Sequence, residues 1–299
     1  MNHKTRVAAA IKRQPVDRIP CAELVIADAL IQTMFGQTEL VFRHRLEFVQ
    51  TLGLDAVCLH PVVADESSAR LPAPQAVVFG ELQDWTKSDL FTFAVLDGPM
   101  GWGFRLLGFE QLMTRMIRHH EDFLELTAAV EQLNMSLMDR LAASGINGII
   151  LADDIAFNQG VIARPSLLRQ SLFPSLARQT AHAQQLGLPV FFHSDGNLAL
   201  VLADIAAAGF DGLQCLETLA GMDIGAVKQQ YGRKLCLWGN LDPAALIEPH
   251  SREFLEQAVR KIAAAAGRGS GFIFGTSSGL FAPMRLESIK SVYAIIRNL

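Results

Sequence analysis

From residue 109 to the end, short apolar runs of strand type alternate with longer stretches of helical spacing, a rhythm few folds accommodate. Strands are predicted over 148–151, 190–192, 212–216, 235–238 and 272–274. Helices are predicted over 109–117, 121–143, 166–186 with a kink at Pro174, 198–208, 222–231, 252–266 and 286–297. Gly145, Gly187, Gly209, Gly232 and Gly267 each stand where a helix should end. The N-terminal third adds strands over 19–24, 55–60 and 93–96, an amphipathic helix at the start and another helix over 39–52. About eight strands separated by helices is the pattern of an α/β TIM barrel, a parallel (β/α)8 arrangement. A single domain spanning 1–299 is expected. The doubly wound sheet is the competing arrangement, but no GxGxxG follows a first strand. Residues 64–92 break the rhythm: polar and proline-bearing, with a hairpin expected around 76–79, they read as an excursion and a candidate lid. The glycine-aromatic stretch GWGFRLLG after the third strand reads as a loop.

Half of the 299 residues are hydrophobic, enough for a large core. The formal net charge is −4 with both signs intermixed, and no basic stripe points to nucleic acid. No apolar run approaches the roughly 18–20 residues of a membrane span. The basic N-terminus lacks the apolar region of a signal peptide, which makes a cytoplasmic protein the expectation. Cys21, Cys58, Cys215 and Cys236 fall in or beside strands without metal spacing, as reduced core thiols would.

In a barrel of this kind the chemistry lies at the C-terminal ends of the strands. Reading those ends gives Glu23, His60, Asp97, Asp153, Asp154, His193, Asp195, Glu217, Asn240, Asp242, Ser277 and Ser278. An isolated Asp after a strand usually caps the next helix, and Asp242 before Pro243 suits that role. Asp153 and Asp154 are harder to assign so, because two successive carboxylates cannot cap one helix. One of them should face the site, partly desolvated near other acids, where a raised pKa is expected. In the stretch FFHSDGN an imidazole and a carboxylate stand two residues apart where a buried strand stops. His193 and Asp195, with Asp154 and Glu217, form a plausible ligand set for zinc or a harder divalent ion, or an equally plausible metal-free hydrogen-bonding group. There is no GxSxG, P-loop or HExxH. Ser277 and Ser278, in GTSSGL, could cradle an anion.

These residues carry a resemblance. PVDRIP near the N-terminus, DGP after the third strand, LADDIAFNQG and FFHSDGNL match one family pattern. So do GFDGLQCLE with AGMDI, YGRKLCLWGNLDP, and the small-residue loop that leads to APMRLESI. Together they resemble the uroporphyrinogen decarboxylase superfamily over nearly the whole chain. The resemblance implies a (β/α)8 barrel, and a place among either the haem-pathway decarboxylases or the methyltransferases that exchange methyl groups with corrinoid proteins or coenzyme M. The decarboxylase holds its polycarboxylate tetrapyrrole with two arginines, whose places here are Val25 and Ala29. Its pyrrole-binding aspartate falls on Val62, and its late histidine on Ser278. Burying unpaired carboxylates costs several kcal/mol each, so those departures argue against that substrate. The methyltransferase branch uses His-x-Cys with a distant Cys on zinc. His193 matches its histidine, Asp195 stands at the first cysteine, and Ser277 or Ser278 at the second.

The expectation is therefore a methyltransferase of a corrinoid-dependent one-carbon system. A methyl group would move between a small-molecule substrate and a corrinoid protein or a thiol or pterin acceptor. Asp153, Asp154, His193, Asp195 and Glu217 are the expected catalytic residues, with His193, Asp195 and Glu217 as metal ligands. Glu23, His60, Asp97, Asn240, Ser277 and Ser278 are the expected substrate-binding residues. The corrinoid would come from a partner protein, and a homodimer is consistent with the resemblance. The alternatives are a decarboxylase-like lyase acting on a smaller acid, and a non-catalytic ligand-binding barrel.

Overall fold

A computed structural model of the chain describes residues 1–63 and 70–299, and statements of absence below concern those residues. Its strands, in chain order, are β1 (Ala56–Leu59), β2 (Pro61–Val63), β3 (Val77–Phe79), β4 (Phe91–Asp97), β5 (Gly148–Ala152), β6 (Ala156–Phe157), β7 (Gly160–Val161), β8 (Val190–His193), β9 (Gly212–Gln214), β10 (Cys236–Leu241) and β11 (Phe272–Thr276). Parallel strands alternating with helices place the fold in the α/β, TIM-barrel-like class, as the sequence rhythm requires. The chain packs as two compact units. One comprises Met1–Cys58, Asp84–Thr92 and Gly212–Leu299; the other comprises Leu59–Gln83 and Phe93–Asp211.

In the unit that holds residues 93–211, β4, β5 and β8 pair in parallel. The register sets Asp97 beside Ala152 and Ala152 beside His193, so the polar strand ends form one row. Beneath them Phe93 and Phe191 are fully buried and meet edge to face, 5.5 Å between ring centres. Each such side chain contributes about 2–3 kcal/mol by leaving water. Strands this apolar on both faces are what helices covering a parallel sheet demand. Helices over Pro99–Arg118, His120–Ala143, Pro165–Ser171 and Phe173–Gln185 belong to this unit. The last two are the single helix predicted over 166–186, broken just ahead of Pro174. In place of the hairpin expected around 76–79 there is one strand, β3, which pairs antiparallel with β2 at residues 61–63. Part of the expected excursion, residues 64–69, lies outside the described residues.

GWGFRLLG departs from the expectation: it is helical, within Pro99–Arg118, and only Gly108 (φ 73°) interrupts the spiral. Pro99 at the first turn and a carboxylate that caps the helix from elsewhere offset the low helix propensity of its glycines.

In the other unit β9, β10 and β11 pair in parallel, with Asn240 beside Gly275. The strand expected over 19–24 is reduced to single bridges, Cys21 with Phe274 and Ala22 with Ala56. What fixes this segment is charge. Asp55 is fully buried and accepts from Arg6 Nη1 (2.7 Å), Arg18 Nη1 and Nη2 (2.8 and 2.9 Å) and the Cys21 N–H (2.9 Å). Arg6 also reaches Asp17 at 2.6 Å. The PVDRIP turn thereby ties the N-terminal helix His3–Ile11 to the start of β1.

Gly145, Gly187 and Gly209 close their helices with φ of 84°, 78° and 89°, whereas Gly232 and Gly267 stay right-handed at −61° and −74°. All four cysteines are free thiols. No helix is long and apolar enough to cross a membrane.

Candidate active site

Asp153 and Asp154 leave β5 in opposite directions. Asp153 is 1% exposed and its Oδ1 accepts the N–H groups of Met100 (2.8 Å) and Gly101 (3.0 Å), capping Pro99–Arg118. Its Oδ2 has no hydrogen-bond partner. Burial, helped by the charges of Asp154 and Asp97, pushes its carboxyl up to about 8 despite those two N–H groups. Gly98 is required by this contact, since a Cβ there would lie 2.3 Å from Asp153 Cγ.

Asp154 is exposed and faces the HSDGN loop, where its Oδ1 accepts the N–H of Asp195 at 2.9 Å. His193, 8% exposed, directs Nε2 toward both carboxylates, 3.8 Å from Asp154 and 4.0 Å from Asp195. One donor atom from each of Asp154, His193 and Asp195 falls within 4.8 Å of the others. A tetrahedral divalent ion with ligands at about 2.1 Å sets its donors about 3.4 Å apart. The observed separations are somewhat longer than that value and both carboxylates are exposed, so this donor set could close on a divalent cation. Three protein ligands would leave one position for substrate.

The loop is held in place by Ser194, which sequence reasoning passed over. Its Oγ accepts the Ile155 N–H at 3.0 Å and donates to the Asp195 carbonyl at 2.8 Å, joining the two acidic turns. Gly196 (φ 86°) lies so close to the β6–β7 hairpin that a Cβ would meet the Ala156 carbonyl carbon at 2.7 Å. In the same unit Asp97 pairs with Arg105 (2.7 Å), whose guanidinium lies over Trp102 at 5.2 Å. Burial raises the Asp97 carboxyl, and the charges of Arg105 and exposed His60 pull it back.

The remaining candidates lie in the other unit. Glu23 is 1% exposed and accepts from Thr276 N (2.8 Å), Thr276 Oγ1 (2.6 Å) and the Tyr293 hydroxyl. Burial lifts it to about 7 against those hydrogen bonds. Asn240 is buried and donates through Nδ2 to the Leu216 carbonyl at 3.0 Å and to Thr218 Oγ1 at 3.3 Å. Glu217 is half-buried in a turn whose backbone accepts the N–H groups of Ala220 and Met222. Asp242 caps Ala244 (2.9 Å), as its place before Pro243 predicts. Ser277 is buried, with its N–H on the Leu241 carbonyl (3.0 Å), and the Ser278 hydroxyl is buried without a partner.

Comparison with known proteins agrees with this architecture. The family model for uroporphyrinogen decarboxylase matches residues 80–299. Uroporphyrinogen decarboxylase of Methylococcus capsulatus is 36% identical over 112 residues, 37% of this chain and 30% of that protein. The Coxiella burnetii enzyme is 27% identical over 170 residues, 56% of this chain and 44% of that protein. The matched segments thus span less than half the length of these relatives. Among solved structures, a methyltransferase from Methanosarcina mazei superposes with a TM-score of 0.81 at 19% identity, over 100% of this chain and 99% of that one. A B12-independent methionine synthase from Shewanella gives 0.61 at 13% identity, over 94% and 96% of the two chains. At such identities the likeness is one of fold. With the family pattern matched over more than half its length, the chain belongs to the uroporphyrinogen decarboxylase family.

Proposed function

We propose that this chain is a methyl-transfer enzyme, moving a methyl group between a small substrate and a corrinoid protein or a thiol or pterin acceptor. The observation that carries the reading is the convergence of Asp154, His193 and Asp195 at adjacent strand ends. Those three side chains would hold a divalent cation, zinc among them. When bound, such an ion supplies Lewis-acid stabilisation to the thiolate or alkoxide that gives or takes the methyl group. The protein's own part is positional. The Asp195 N–H orients the Asp154 carboxylate, Ser194 fixes the two loops against each other, and the nearly buried imidazole presents Nε2 to the shared space. A corrinoid protein would dock over the face that carries these residues.

The places of the decarboxylase's arginines support the choice. Val25 and Ala29 are exposed and uncharged, which leaves a polycarboxylate without the partners it needs there. Family membership itself favours a second reading, a lyase that decarboxylates a smaller acid without metal. The two separate cleanly. Purified protein with bound zinc, cob(I)alamin and a panel of methyl ethers, thioethers and amines should give methylcobalamin, followed by its absorption spectrum. His193→Ala should lower the rate at least about 100-fold, as loss of a metal ligand would. Release of CO2 from a carboxylic acid, unaffected by chelator, would establish the lyase instead. Absence of either turnover would leave the non-catalytic ligand-binding barrel.

A further inference from the structure

The unit that holds β9–β11 contains a cavity of about 620 Å³ that the proposed methyl-transfer chemistry does not use. It opens beside the ends of β9 and β10, at the GNLDP stretch, and extends between the helices Ile224–Tyr231 and Arg252–Ala266. Its volume falls in the range of about 300–1,000 Å³ typical of small-molecule sites. Met222, Ile224, Leu241, Phe254 and Ile262 supply apolar walls. Phe254, 45% exposed, stacks on His250 with ring centres 4.0 Å apart and planes 20° apart, which gives the rim a flat aromatic face.

Carboxylates outnumber basic groups around this space. Asn240 is 5% exposed and lines the cavity. Its amide nitrogen is committed to Leu216 and Thr218, while its Oδ1 accepts nothing among the described residues. That oxygen is available to accept a hydrogen bond from a molecule in the cavity. Three carboxylates line the same space, Asp223, Asp242 and Glu248. The first two each spend one oxygen on a helix N–H, Ala226 at 3.0 Å and Ala244 at 2.9 Å. Glu248 makes no ion pair among the described residues. Against these acceptors the lining offers a single ammonium, Lys261, and the imidazole of His250.

From this complementarity we infer that the cavity binds an organic cation with an apolar body, a primary or substituted alkylammonium. Its N–H groups meet the Asn240 carbonyl oxygen and the carboxylates. Its alkyl part lies on Met222, Leu241 and Ile262, and the Phe254 face adds a cation–π contact. This site stands independently of the Asp154 site, since no residue is shared.

Three probes of equal length and different charge test the assignment: hexylammonium, hexan-1-ol and hexanoate, titrated calorimetrically into the full chain at pH 7. Hexylammonium should bind about tenfold more tightly than the alcohol, and hexanoate least. Glu248→Gln and Asp242→Asn, both near the surface, should each weaken hexylammonium about three- to tenfold and leave the alcohol unchanged. Phe254→Ala should weaken the ammonium more than the alcohol. Equal affinity for ammonium and alcohol, tighter binding of hexanoate through Lys261, or hexylammonium binding insensitive to Glu248→Gln would each overturn the inference, as would the absence of binding at millimolar concentrations.

Discussion

Asp153 and Asp154 are one peptide bond apart and differ in almost everything that sets a carboxylate's chemistry. One is sealed under a helix N-terminus and keeps a proton to about pH 8; the other is open to water and presented to an imidazole. Glu23 shows the same effect of burial. Its folded-state pKa of about 7 exceeds its ordinary 4.5, so the folded chain keeps a proton that the unfolded chain releases. Between those two values stability must fall as pH rises, and above about 7 the loss is complete. The loss is of the order of 3 kcal/mol. Glu23→Gln should remove that slope. Urea unfolding at pH 5, 6, 7 and 8 should show the wild-type midpoint declining relative to the variant. Parallel pH profiles for the two proteins would show that Glu23 ionises normally in the folded state.

The elements that place the Asp154 group are short, and each depends on a contact from another part of the chain. Pro99–Arg118 begins where Gly98 leaves room for Asp153, whose carboxylate accepts the Met100 and Gly101 N–H groups. Gly98→Ala should therefore drive Asp153 aside, uncap the helix and cost about 2–4 kcal/mol, as overpacking with loss of a cap does. Thermal or urea denaturation measures it; an unchanged midpoint would mean the helix start tolerates a Cβ. Helices and strands were legible from spacing because period and apolar runs are local properties. GWGFRLLG was misread because its cap comes from Asp153, more than fifty residues away, and glycine propensity alone speaks for a loop. The Asp55 cluster with Arg6 and Arg18, and Glu23 with Thr276 and Tyr293, were invisible for the same reason: partners distant in sequence leave no periodic mark. PVDRIP could be recognised as a pattern, but its physical role as an ion-paired anchor needs the fold.

At the scale of the whole molecule, β/α alternation gives the fold class, and the strand ends collect the polar residues. Which of those residues converge is decided by register and by the turns that follow the strands. Of the candidates in the unit with β4, β5 and β8, Asp154, His193 and Asp195 meet in one space, while Asp153 turns to a helix and Asp97 to Arg105. In the other unit Glu23 is a buried hydrogen-bonded carboxylate, Asn240 and Asp242 line a cavity, and Glu217, Ser277 and Ser278 belong to neither group. We propose that Asp154, His193 and Asp195 together hold a divalent cation. Equilibrium dialysis of the apoprotein against zinc, with metal determined by mass spectrometry, tests it most directly. About one zinc ion per chain should bind in the wild type; His193→Ala and the Asp154→Asn, Asp195→Asn pair should each weaken binding at least about tenfold while the far-ultraviolet circular dichroism is retained. Failure of the wild type to bind zinc or any other divalent ion, or stoichiometric binding that survives those substitutions unchanged, would rule out a cation site at Asp154, His193 and Asp195.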